Sequence, residues 1–256
     1  MLGAIIGDIV GSVYEWHNIK TTEFPFFQDR CFFTDDSVLT VATAKALMSG
    51  MSYTEVYQDF SRRYPGRGYG GNFMGWIYAE NPQPYNSWGN GSAMRVSPVG
   101  FAIDDVDGVL AEARRSAEVT HNHPEGIKGA QATALAVLLA RQGIPQAEIR
   151  SEIAGRFGYD LGRTLDEIRP VYTYDVSCQG SVPEAIIAFL ESTGFEDAIR
   201  KAISIGGDSD TIACITGGIA EAYYGVPGEI AEKAYDYLPD EFIEIVEAFY
   251  AFVSGE

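Results

Sequence analysis

Apolar residues recur along most of this chain at spacings of three and four, the period of a helix that buries one face. Between Pro239 and Val253 the stripe is made by Phe242, Ile245, Val246, Phe249 and Tyr250. The run from Gly129 to Ala140 is apolar nearly all round, which predicts a helix buried in the middle of the protein. Ser52 and Glu55, Thr164 and Glu167, Ser181 and Glu184, and Thr193 and Glu196 are each spaced as a capping box. In such a box the hydroxyl satisfies an orphan N–H and the carboxylate reaches back to the cap. Pro145 and Pro183 fall near predicted first turns, where a missing N–H costs little. Sustained period-two alternation is hard to find, and no repeat or composition shift marks a boundary. The expectation is an all-α protein with one domain over residues 1–256.

Two stretches depart from this pattern. Gly3, Gly7 and Gly11 recur every fourth residue, so they share one helical face. Glycine weakens a helix, and a stripe of it predicts that another backbone approaches closely there. From Tyr64 to Asn90 the chain is rich in Gly, Pro and Asn, yet carries Tyr64, Tyr69, Phe73, Trp76, Tyr78, Tyr85 and Trp88. A flexible linker would not hold so many aromatics, so a long binding loop is expected.

Composition narrows the function. At 256 residues, 46% hydrophobic and 21% charged, the chain is long enough for a large core and unlike a disordered one. Its net charge is −18, which repels nucleic-acid backbones and anionic membranes. An anionic substrate would need positive charge supplied locally. Cys31, Cys178 and Cys214 are an odd, sparse set, expected to be reduced and buried. The opening segment is apolar, has no basic leader and is broken by Asp8, so it is expected to be core rather than signal peptide. No run approaches transmembrane length, and a cytoplasmic location is expected.

The candidate chemistry lies in two acidic motifs. Thr34-Asp35-Asp36-Ser37 precedes an apolar segment, where Thr34 or Asp35 can cap a helix and the acids suit its dipole. Gly206-Gly207-Asp208-Ser209-Asp210-Thr211 opens a second apolar segment after a turn that two glycines permit. It is no EF-hand, because Ile219 stands where the bidentate glutamate belongs. Each motif sets a hydroxyl beside two carboxylates at a helix start, a donor set for hard cations such as Mg²⁺ or Mn²⁺. If the two starts face each other, four carboxylates collect and repel, and two divalent cations about 4 Å apart would neutralise them. Two separate helix caps are the plainer alternative.

Taken together and in order, five motifs resemble the ADP-ribosylglycohydrolase family, which includes the dinitrogenase reductase-activating glycohydrolase and its animal relatives. They are Gly3 to Glu15, Thr34 to Ser37, Asn90-Gly91-Ser92-Ala93-Met94-Arg95, Thr120-His121, and Gly206 to Thr211. The resemblance spans nearly the whole chain. It implies an orthogonal helical bundle with a binuclear Mg²⁺ or Mn²⁺ site that holds the distal ribose of ADP-ribose and activates water. By that likeness Thr34, Asp35 and Asp36 bind one cation, Asp208 and Thr211 the other, and Asp210 both. Glu15 and Asp35 are the implied catalytic carboxylates, Glu15 by acid–base or gating work. Asn90, Gly91, Ser92, Met94, Arg95 and His121 are the implied contacts to ADP-ribose. For Arg95 a phosphate contact and a structural ion pair stay equally open, and one aromatic between Tyr64 and Trp88 is expected to stack on adenine.

Two other readings compete. A terpenoid synthase also joins helices to two acidic motifs, but Val38, Leu39 and Thr40 stand where it needs a further acid. A non-catalytic member, binding ADP-ribose or serving a structural role on the same scaffold, is the other, although every implied ligand is intact.

Overall fold

A computed structural model describes residues 1–255 of the chain. The first part carries α1 (Leu2–Gly11), α2 (Asp35–Ser49), α3 (Tyr53–Arg63), α4 (Gly71–Ile77), α5 (Gly91–Met94) and α6 (Ser97–Ala102). The middle carries α7 (Val106–Glu118), α8 (Pro124–Arg141), α9 (Gln146–Phe157), α10 (Leu165–Ile168) and α11 (Cys178–Leu190). The last part carries α12 (Phe195–Ser204), α13 (Ser209–Tyr224), α14 (Gly228–Tyr235) and α15 (Asp240–Ser254). Among the described residues there is no strand, only an isolated antiparallel bridge between Gly89 and Ser177. The chain is all-α, as the periodicity predicts.

Helix α13 is the hub. It packs against α1, α12, α11 and α8, with α5, α6 and α2 also in contact. Its closest partner is α1, and the glycine stripe explains why. A Cβ on Gly3 would run into the carbonyl of Gly217, one on Gly7 into that of Ala213, and one on Gly11 into the backbone of Ser209 and Asp210. The two helices therefore meet backbone to backbone, and Asp8 on α1 is carried to the start of α13. All ten residues of α1 are buried, and so is nearly every residue between Gly129 and Ala140 on α8. Helix α15 lies on α2 and buries Phe242, Ile245, Val246 and Phe249.

Local start signals hold in part. Ser52 with Glu55, and Thr164 with Glu167, form complete capping boxes. Ser181 with Glu184 does not: α11 begins earlier, its cap is Ser177, and Glu184 is instead paired with Arg163 at 2.7 Å. Pro183 consequently lies inside α11 rather than in its first turn. The helix after Thr193 is capped by Gly194, and Thr193 bonds Asp197 rather than Glu196. The stretch from Tyr64 to Asn90 is not loop throughout, because α4 runs through it and buries Phe73 and Trp76. Cys31, Cys178 and Cys214 are unpaired and buried.

Candidate metal centre and ligand cavity

The two acidic motifs meet. Thr34 caps α2, its Oγ1 accepting from the Asp36 N–H, and Asp208 caps α13. Across the gap between these helix starts, Thr211 Oγ1 donates to Asp36 Oδ2 at 3.2 Å, and Thr34 Oγ1 lies 3.3 Å from the same oxygen. Ligand oxygens of Asp8, Asp36 and Asp210 all lie within 4.8 Å of one another, as do those of Glu15, Asp208 and Asp210. Asp35 falls outside both groups but faces the same cavity.

This gathering is electrostatically costly without cations. Burial, and then the charge of neighbouring carboxylates, raises Asp35, Asp36 and Asp210 well above the ordinary aspartate range. Burial raises Asp208 as well, against a hydrogen bond from Asn90 Nδ2 to its Oδ2 at 2.6 Å. Asp36 Oδ1 is buried and has no hydrogen-bond partner among the described residues. An unpartnered carboxylate oxygen among raised acids, with hydroxyl and carboxylate donors around it, is a donor set that could hold a hard cation such as Mg²⁺ or Mn²⁺.

Asp8 is the residue the sequence hides. It breaks an apolar run, but its partners lie far along the chain. Oδ1 accepts from Thr34 Oγ1 at 2.7 Å, and Oδ2 from the N–H groups of Thr34 (2.9 Å) and Ser37 (3.1 Å) and from the Ser37 hydroxyl. These four donors let Asp8 buttress the start of α2, while it also stands with Asp36 and Asp210 among the groups that could hold a cation. Burial still pushes the Asp8 carboxyl up to about 6. The available signal was a lone acid in a helix otherwise wholly apolar.

The cluster forms the floor of a cavity of about 580 Å³. Its lining includes Glu15, Thr34, Asp35, Asp36, Asn90, Gly91, Met94, Arg95, His121, Asp208, Asp210 and Thr211. Ser92 is not among the lining residues, and its buried hydroxyl donates to the Gly126 carbonyl at 2.7 Å. Asn90 faces the cavity, but its amide holds Asp208 and Ser181. Among the described residues Arg95 is in no ion pair. Its guanidinium lies 4.3 Å from the Tyr57 ring, Nη2 donates to Ser116 O and Thr120 Oγ1, and Nε and Nη1 are left without partners. Thr120 Oγ1 is 2.8 Å from His121 Nδ1. His121 Nε2 lies beside Gly91. Burial, followed by the Arg95 charge, lowers His121 well below its ordinary value, so it is neutral.

Glu15 is half-buried at the cavity mouth. Tyr174 donates its hydroxyl to Glu15 Oε1 at 3.0 Å, while burial and Asp208 raise the carboxyl. Of the aromatics between Tyr64 and Trp88, Phe73 and Tyr85 line the cavity. Within the stretch expected to be a binding loop, Gly66, Arg67, Gly68, Gly70 and Gly71 form another wall. Its Arg67 carbonyl accepts from the Asp35 N–H at 2.8 Å, and its guanidinium stacks 3.7 Å from the Phe33 ring.

The sequence profile of the ADP-ribosylglycohydrolase family matches residues 1–254. The chain belongs to this family. Among curated relatives, the ADP-ribosylhydrolase ARH3 of Homo sapiens is 30% identical, over 88% of this chain and 84% of its own. The mouse ARH3 is 28% identical over 88% and 83%. The ADP-ribosylarginine hydrolase Tri1 of Pseudomonas putida is 26% identical over 96% of this chain and 72% of its own. A solved structure described as an ADP-ribosylglycohydrolase-related protein complex superposes with a TM-score of 0.73 at 24% identity, covering 98% of this chain and 97% of that one. That likeness places the helical arrangement in the ADP-ribosylglycohydrolase fold. No described helix is long and apolar enough to cross a membrane.

Proposed function

We propose that this chain is a divalent-cation-dependent hydrolase that releases ADP-ribose from a modified acceptor, a protein side chain first among them. One observation carries the reading: Thr211 and Asp36 meet among buried, raised carboxylates, with Asp36 Oδ1 unpartnered. Family membership supports the same class of activity.

Thr34, Asp35, Asp36, Asp208, Asp210 and Thr211 are the side chains we assign to two Mg²⁺ or Mn²⁺ ions. Bound there, such ions supply Lewis acidity and make water a stronger acid. The chain's own groups do the rest. Asn90 fixes Asp208, and Asp8 fixes Thr34 and Ser37, so the ligand oxygens hold one geometry. Glu15 at the mouth has a raised carboxyl, suited to hold a proton at Oε2 that passes to or from the water or the departing atom. Carboxylates around the sugar favour the positive charge that develops as the ribosyl bond breaks. Elsewhere in the cavity lining the His121 Nε2, the unpartnered Arg95 N–H groups and the Gly91 backbone offer donors to the anionic diphosphate.

Incubation with ADP-ribosylated protein tests this. ADP-ribose release with Mg²⁺ or Mn²⁺, its loss in EDTA and its return on adding metal support the reading. Full activity after thorough chelation refutes the metal role, and tight ADP-ribose binding without release under any metal favours a non-catalytic binding member.

A further inference from the structure

Beyond Glu15 the cavity mouth is lined by exposed apolar side chains. Trp16, Phe32, Tyr174 and Val176 are among the few large hydrophobic residues the chain leaves in water, and Trp16 is 73% exposed. A concentration of such residues at the rim of a polar cavity marks a contact surface. Trp16 and Tyr174 lie 5.4 Å apart with their rings 24° from parallel, so they brace each other as one shelf. The shelf is tied to the acids behind it, since Tyr174 bonds Glu15 and Glu15 groups with Asp208 and Asp210.

Charge decides what such a shelf holds. The face of an indole ring attracts cations, more so beside carboxylates. The two arginines of the cavity lining are engaged elsewhere, Arg67 on Phe33 and Arg95 on Tyr57, and among the described residues no cation of the chain lies over Trp16. The net charge of −18 draws a basic partner and repels an acidic one. Glu15 groups with Asp208 and Asp210, side chains assigned above to the cations that hold the distal ribose, so the shelf bonded to Glu15 stands next to the carbon from which the acceptor departs.

We propose that Trp16 and Tyr174 form an acceptor subsite that holds a cationic side chain of the modified polypeptide on their ring faces. This rests on the hydrolase reading given above and deepens it by assigning the acceptor's chemistry. The cation is either the modified residue itself or a basic neighbour of it.

The test uses the full-length protein and three ADP-ribosylated peptides. One is serine-linked with lysine neighbours, one serine-linked with alanine neighbours, and one arginine-linked with alanine neighbours. Wild type is expected to favour one or both cation-bearing peptides over the neutral one by roughly threefold to tenfold in kcat/KM, carried by KM. Preference for the lysine-flanked peptide alone assigns the shelf to a neighbour, and for the arginine-linked peptide alone to the modified residue. Trp16→Ala should bring the favoured peptide down to the rate of the neutral one. Equal rates on all three peptides in wild type, or an equal loss on all three in the variant, overturn the subsite. Affinities of the same peptides in EDTA read the shelf without turnover. A Trp16-dependent cation preference there, with no hydrolysis in any metal, would sink the hydrolase reading and support the shelf. Hydrolysis with no cation preference in rate or affinity would sink the shelf alone.

Discussion

Thr211 and Asp36, 175 residues apart in the chain, share a hydrogen bond of 3.2 Å between the starts of two helices. That contact converts two local acidic motifs into one centre. The backbone contact of α1 with α13 brings it about by leaving no room between Gly7 and the carbonyl of Ala213. Gly7→Ala is therefore expected to destabilise the fold by about 3 kcal/mol, at the upper end for an added methyl in a packed interior. Thermal unfolding of the variant checks this, and an unchanged Tm would contradict the close approach.

Asn18 ties the Glu15 segment to the metal-side turn. Its Nδ2 donates to the carbonyls of Tyr14 (2.7 Å), Glu15 (2.9 Å) and Gly207 (2.9 Å), and its Oδ1 accepts from the Gly207 N–H at 2.7 Å. Gly207 directly precedes Asp208 and holds φ +74°, a left-handed conformation glycine adopts freely. Asn18→Ala should lower kcat by roughly tenfold to a hundredfold, as misplaced catalytic groups do. Far-UV circular dichroism should be unchanged, and amide exchange should quicken over residues 13–20.

Gly68 sets the wall behind Asp35. It has φ +101°, and a Cβ there would lie 3.0 Å from Asp35 Oδ1. Gly68→Ala should cost about 1–2 kcal/mol from the backbone alone. It should also weaken Mn²⁺ binding measured by calorimetry, because the methyl presses on a proposed ligand.

How far the site was legible depends on how local each signal is. Thr34 as a cap, the neighbouring acids and the glycine pair before Asp208 are read within a few residues, and the structure puts them together. Asp8 and Asn18 were invisible because their partners lie 26 to 29 and 189 residues away. The Ser92 hydroxyl likewise finds a partner far along the chain, the Gly126 carbonyl. The Ser181 and Thr193 boxes failed for a similar reason, since Ser177 and Gly194 cap those helices instead. Within Tyr64–Asn90 the aromatics marked a cavity wall, while the glycines masked the helix α4.

The acid cluster also fixes a pH response. Asp8 titrates at about 6 in the folded chain against 3.8 unfolded, so between these values the folded state holds the extra proton. Its contribution to stability is full below about pH 4 and is lost as pH rises through 6. The raised Asp35, Asp36 and Asp210 act in the same direction. In EDTA, Tm should fall as pH rises from 4 toward 7, and Asp8→Asn should make that slope shallower. Excess Mn²⁺ should flatten it by favouring the charged carboxylates. A Tm in EDTA that climbs over this range in wild type more than in the variant would contradict the assignment.

The most direct measurement is anomalous diffraction from crystals grown with Mn²⁺. Two peaks are expected, one within bonding reach of Asp36 and one of Asp208, with Asp210 serving both and with Asp36 Oδ1 now engaged. Crystals of well-ordered protein in saturating Mn²⁺ that show no anomalous density among Thr34, Asp35, Asp36, Asp208, Asp210 and Thr211 would contradict the account.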